Sequence, residues 1–165
     1  MEELHLNTGS KRERYAELIP QIAALVRDEP NAVANMANIA AALKESFTDI
    51  SWVGFYLYDP GTDGLVLGPF QGKIACTRIG RGKGVCGAAF ERNETIIVPD
   101  VEKFPGHIYC DGGTRSEIVV PLRSGGLPVG VLDVDSYRLA AFDATDAEAL
   151  ESLIAAVAGT IVRTE

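Results

Sequence analysis

Positive charge, cysteine and long apolar runs are all scarce in this chain. Its 165 residues carry 15 Lys and Arg against 23 Asp and Glu, a formal net charge of −8. That balance argues against a nucleic-acid or anionic-membrane partner, either of which selects a basic face. No stretch approaches the roughly 18 apolar residues of a membrane span. Residues 1–14 are polar and charged and hold no apolar signal-peptide core. The expected location is the cytoplasm, where thiols stay reduced unless they turn over. The 3 cysteines are an odd number that cannot all pair within one chain, which argues against a structural disulfide framework. Paired Cys-x-x-Cys knuckles are absent too. The nearest zinc set would be Cys76, Cys86, His107 and Cys110, and without knuckles it has little support. The loop spacing of an EF-hand is missing. The glycine-rich run Gly80–Gly87 lacks both the P-loop ending and the order of a dinucleotide fingerprint.

What the chain does have is punctuation in its middle. Of its 17 glycines, 15 lie between Gly54 and Gly130, as do six of its 8 prolines. Turns and strands gather there, and helices at the two ends. Tyr15, Leu18, Ile22, Leu25 and Val26 recur at helical spacing, predicting a helix over about 11–27 with Pro20 as a point of kinking. Asn31 caps a second helix to about Ser46, whose buried stripe is Val33, Met36, Ala37, Ala40 and Leu43. A last helix starts after Phe142, capped by Asp143 or Thr145. Strand patterns cover 51–58, 65–70, 73–78, 95–98, 115–122 and 129–136, with a short helix over 84–93. The pattern is α+β: one mostly antiparallel sheet with helices packed on it. No repeat or linker divides residues 1–165, so one domain is expected.

Three patterns carry chemical interest. Alternation along Val131–Asp135 puts Asp133 and Asp135 on one face, roughly 7 Å apart, and Glu117 faces away from Ile118 and Val120 on a neighbouring segment. Paired strands would gather three carboxyls, either on a solvated face or in a polar site able to bind a cation or ammonium or to supply protons. Trp52 and Tyr56 flank Gly54 on the face opposite Val53, Phe55 and Leu57. They are either core or the walls of a slot for a small apolar group. A helix starting near Gly84 would offer free N–H groups to a carboxylate; a tight turn into a helix is the plainer alternative.

The cysteines are harder to rank. Cys86 lies near that helix start beside Arg81 and Lys83, which favours its thiolate. Cys110 lies in the loop Phe104–Gly113, expected to be exposed and flexible, with His107 as the nearby base and Asp111 opposing ionisation. The residues alone leave the nucleophile open, and three inert thiols also fit.

Several runs then resemble one family. Trp52-Val53-Gly54-Phe55-Tyr56-Leu57 is similar to the first strand of the free methionine-(R)-sulfoxide reductases, which are built on a GAF-type domain. So are Leu65–Cys76, Gly82–Gly87, Pro105–Asp111 and Gly130–Ser136. The resemblance spans nearly the whole chain, with the cysteines at the family's spacing. It implies a single GAF-like domain that reduces the R epimer of free methionine sulfoxide. It also implies Cys110 as nucleophile, Cys76 as main resolving thiol and Cys86 as a secondary one. Trp52, Tyr56, Glu117, Asp133 and Asp135 would line the substrate pocket. Thioredoxin would be the reductant, with no metal or organic cofactor, and the chain would form a homodimer. The alternatives are a non-catalytic GAF-type ligand sensor and a thiol redox switch.

Overall fold

Local capping chemistry sets where the helices begin. Ser10 opens α1 (Lys11–Val26) through a reciprocal capping box with Glu13, and Asp143 opens α4 (Ala144–Ile161) through another with Asp146. Asn31 caps α2 (Ala32–Ser46) by accepting from the amides of Val33 and Ala34. The computed structural model describes residues 4–7 and 9–162. The terminal residues that a domain over 1–165 takes in lie outside them. α1 runs unbroken through Pro20. A mid-helix proline costs about 3 kcal/mol, but Tyr15, Leu18, Ile22 and Val26 are all buried along one stripe and hold the helix in place.

The middle of the chain forms one antiparallel sheet. Its strands are β1 (Trp52–Asp59), β2 (Gly64–Gln71), β3 (Arg78–Gly80), β4 (Ile96–Val98), β5 (Ser116–Ser124) and β6 (Leu127–Ser136), in the order β3-β2-β1-β6-β5-β4. A short helix, α3 (Gly84–Arg92), separates β3 from β4. The sheet is buried on both faces. Val53, Phe55, Ile118, Val120, Leu132 and Val134 pack under α1, α2 and α4. Trp52, Tyr56, Val119 and Val131 face the other way, toward α3. The α+β class and the helix positions agree with the sequence pattern.

Two expectations are corrected. Val33 is 61% exposed, and Asn35 is buried instead, donating to the carbonyls of Glu29 and Thr160. The stripe of α2 is therefore rotated, with Ile39 in place of Val33. The segment 73–78 is not a strand; pairing resumes only at Arg78. Side chains of β1 take its carbonyls instead. Trp52 Nε1 donates to Lys73 O at 3.0 Å and Tyr56 Oη to Cys76 O at 2.9 Å.

Gly54 marks the tightest approach in β1. A Cβ there would meet Phe70 Cβ at 2.3 Å and the Trp52 ring at 2.6 Å. The space above Gly54 is thus filled by the Trp52 and Phe70 rings, which stack with centroids 5.3 Å apart, and is not the open slot expected between Trp52 and Tyr56. Gly54→Ala is expected to cost about 1–3 kcal/mol in urea denaturation through overpacking. Unchanged stability would show that the rings part freely.

Candidate active site

Strand register assembles the site. Antiparallel pairing sets Trp52 beside Asp135 and Gly54 beside Asp133, and on the far side of β6 it sets Glu117 beside Asp135. A lateral row of Trp52, Asp135 and Glu117 results, with Asp133 one step along. A cavity lies over this row, lined by Trp52, Tyr56, Cys86, Cys110, Glu117, Asp133 and Asp135 together with His107, Thr114 and the α3 start Gly84–Val85. Seven of the eight sequence candidates therefore share one cavity. The eighth, Cys76, is joined to Cys110 by a disulfide with the two Cα atoms 5.3 Å apart. The zinc set of Cys76, Cys86, His107 and Cys110 does not exist in this state, because two of its sulfurs are bonded to each other.

The carboxyls are buried, not solvated. Glu117 is 5% exposed and Asp133 7%, with Asp135 half-buried. Burial pushes the pKa of each well above its ordinary value, and repulsion among the three adds to it. Protonated carboxyls are favoured, and these can donate hydrogen bonds.

Cys86 does not have the environment expected from its sequence neighbours. Burial pushes its thiol up, and the nearby Asp133 and Glu117 push it further. Arg81 is engaged elsewhere, 2.9 Å from Asp63 and over the Tyr58 and Phe90 rings. Lys83 is exposed at the cap of α3. The electrostatic case for Cys86 as a reactive thiol is overturned: the sheet face beneath it outweighs the sequence beside it.

His107 is the residue the sequence undervalued. Its Nε2 lies 3.0 Å from Glu117 Oε2, and burial lowers its pKa. The imidazole and the carboxyl share one hydrogen bond through Nε2. Among the described residues, His107 Nδ1 and Asp133 Oδ1 are buried without a hydrogen-bond partner. The available signal was that His107 is one of only 2 histidines and shares a loop with Cys110.

The Cys110 loop is tied down by its charged neighbour. Asp111 accepts from Tyr137 Oη at 2.6 Å and from the Gly113 amide at 3.0 Å, and it pairs with Lys73 at 3.4 Å. These contacts hold its carboxyl below the ordinary range. Its charge is shared with Lys73 and Tyr137 and is not simply opposed to Cys110. At the other wall, Gly84 takes a positive φ of 59° with the Ile108 side chain against it, and no side chain caps the first amides of α3.

Known proteins share this fold. The GAF domain family model matches residues 33–162, so the fold class is that of a GAF domain protein. Free methionine-R-sulfoxide reductase from Escherichia coli is 46% identical, with 94% of this chain and 93% of that protein aligned. The Saccharomyces cerevisiae protein of the same name is also 46% identical, over 90% of this chain and 88% of its own. A crystal structure of free methionine-R-sulfoxide reductase from Neisseria meningitidis, in complex with its substrate, superposes with a TM-score of 0.95. It is 51% identical, covering 98% of this chain and 96% of that one. The chain belongs to the free methionine-R-sulfoxide reductase family of GAF domain proteins.

The electrostatics gives a stability signature. A carboxyl with a raised folded-state pKa contributes stability below its unfolded value, near 4, and loses it as pH climbs through the folded value. His107, with a lowered value, acts in the opposite sense, losing stability as pH falls below about 6.5. Asp135→Asn is expected to shrink the loss of stability between pH 5 and pH 8, measured by urea denaturation. An identical loss in the variant and the parent chain would contradict a raised carboxyl at Asp135.

Proposed function

We propose that this chain reduces free L-methionine-(R)-sulfoxide to L-methionine. The observation that carries the reading is the Cys76–Cys110 disulfide, which opens onto a cavity lined by three carboxyls of raised pKa. A thiolate attacks the sulfoxide sulfur only if the oxygen is protonated as its bond to sulfur breaks. Buried, protonated carboxyls meet that need.

Cys110 is the nucleophile in this reading. Its sulfur attacks the sulfoxide sulfur while Glu117, Asp133 or Asp135 donates to the oxygen. The oxygen passes to Cys110, methionine leaves, and Cys110 is left as a sulfenic acid. Cys76 attacks it, water departs, and the disulfide forms. An external dithiol such as thioredoxin then reduces that disulfide by exchange. Exposed Ile74, Ile108 and Tyr109 flank it and give a reductant an apolar surface to meet. Cys86 is a secondary resolving thiol. The cycle uses no metal or organic cofactor.

Trp52 and Tyr56 would hold the methyl group, and an ionised carboxylate would hold the substrate ammonium. The free amides of Gly84 to Cys86 would receive its carboxylate. A pocket that satisfies both termini excludes a methionine sulfoxide within a peptide chain, whose amide bonds would clash or leave a charge unpaired. The reading includes a cytoplasmic location, a homodimer and a single domain over 1–165. Among the described residues no helix is long and apolar enough to cross a membrane.

The test follows NADPH loss with thioredoxin, thioredoxin reductase and each sulfoxide epimer. Turnover of the R epimer is expected. No turnover of R would contradict the reading and favour a ligand sensor, and equal turnover of S would contradict its epimer selectivity. Cys110→Ser is expected to abolish turnover and Cys86→Ser to keep much of it. Full activity of Cys110→Ser would remove the nucleophile from Cys110.

A further inference from the structure

Cys86 is the thiol left free when Cys76 and Cys110 are joined, and its surroundings are unusual. Its Sγ lies 4.0 Å from Glu117 Oε1. Cys86, Glu117 and Asp133 each offer a donor atom, and these atoms lie within 4.8 Å of one another. His107 Nε2 meets the other Glu117 oxygen, Oε2, at 3.0 Å and orients that carboxyl from the Cys110 loop. Asp133 Oδ1, on a residue only 7% exposed, is buried with no hydrogen-bond partner among the described residues. An unpartnered buried oxygen at a cavity wall is costly and invites a ligand.

The donor types narrow the ligand. Calcium and magnesium prefer all-oxygen sets and more ligands than this wall supplies. One sulfur and two carboxylate oxygens, with the fourth position left to solvent, suit a zinc-class cation. Metal–ligand lengths of roughly 2.0–2.3 Å in a tetrahedron put donors about 3.3–3.6 Å apart. The donor atoms of Cys86, Glu117 and Asp133 lie within 4.8 Å of one another, with Cys86 and Glu117 4.0 Å apart, so side-chain rotation is enough to close the site.

We propose that Cys86, Glu117 and Asp133 form a binding site for a zinc-class divalent cation, which excludes substrate from the same cavity. The protons held by the Cys86 thiol and by the Glu117 and Asp133 carboxyls leave to solvent as these groups coordinate, and no oxidation occurs. The cation is an inhibitory ligand, not a cofactor. Only its competition with substrate rests on the sulfoxide reductase reading; binding itself does not.

The disulfide form makes the test specific. With Cys76 and Cys110 joined, Cys86 is the remaining thiol of the chain. Oxidised full-length protein is titrated with Co²⁺ and read by its near-ultraviolet thiolate-to-cobalt charge-transfer band. A saturating one-to-one band is expected, bleached by Zn²⁺ and lost in Cys86→Ala. Asp133→Asn keeps the thiol and is expected to weaken cobalt binding about tenfold or more. No band in the parent chain, a band retained in Cys86→Ala, or unchanged affinity in Asp133→Asn would overturn the site. In protein that passes the epimer assay, saturating sulfoxide is expected to lower cobalt affinity. Unaltered affinity there would overturn the shared cavity.

Discussion

The constraint on which the site depends is the burial of three carboxyls on the α3 side of the sheet. A sheet face that packs under a helix is normally apolar, and Val119 and Val131 follow that rule. Glu117, Asp133 and Asp135 break it on the same two strands. Burying an ionised carboxylate without a partner is so unfavourable that the group takes up a proton instead. The fold thus obtains neutral acids from ordinary aspartates and a glutamate by placement alone. The α1, α2 and α4 layer on the opposite face keeps β5 and β6 in register, and any slip by one residue would turn the carboxyls into that core.

The sulfur chemistry is arranged around the same surface. Trp52 and Tyr56 line the cavity and also hold the carbonyls of Lys73 and Cys76, so the walls of the pocket position the segment that carries Cys76. From the other side, the Asp111, Tyr137 and Lys73 contacts bring the Cys110 loop to it. The two cysteines lie 34 residues apart in sequence and meet because each loop is anchored beside its sulfur. His107 extends the proton-bearing cluster from the sheet into that second loop.

The sequence made the sheet faces readable and the loops much less so. Asp133, Asp135 and Glu117 were separable from the core residues by period-two alternation, since strand geometry allows only two directions. Asn31 and Asp143 announced their helices by capping chemistry. The failures share a cause: long-range contacts overrode local pattern. Residues 73–78 look like a strand until Trp52 and Tyr56 claim two of their carbonyls. Val33 fits the stripe of α2 until Asn35 finds Thr160 across the fold. Cys86 looks activated by Arg81 and Lys83 until the carboxyls beneath it are placed. His107 carried no periodicity, so only the fold brings it to Glu117.

The central claim is that burial on this face raises the carboxyl pKa values well above the ordinary range. The most direct measurement is a carbon-13 NMR titration of side-chain carboxyls labelled in Asp and Glu, with Glu117, Asp133 and Asp135 assigned by single substitution. The account predicts titration midpoints for the cluster well above the ordinary carboxylate value of about 4. Three ordinary midpoints, with all three groups ionised at neutral pH, would contradict it.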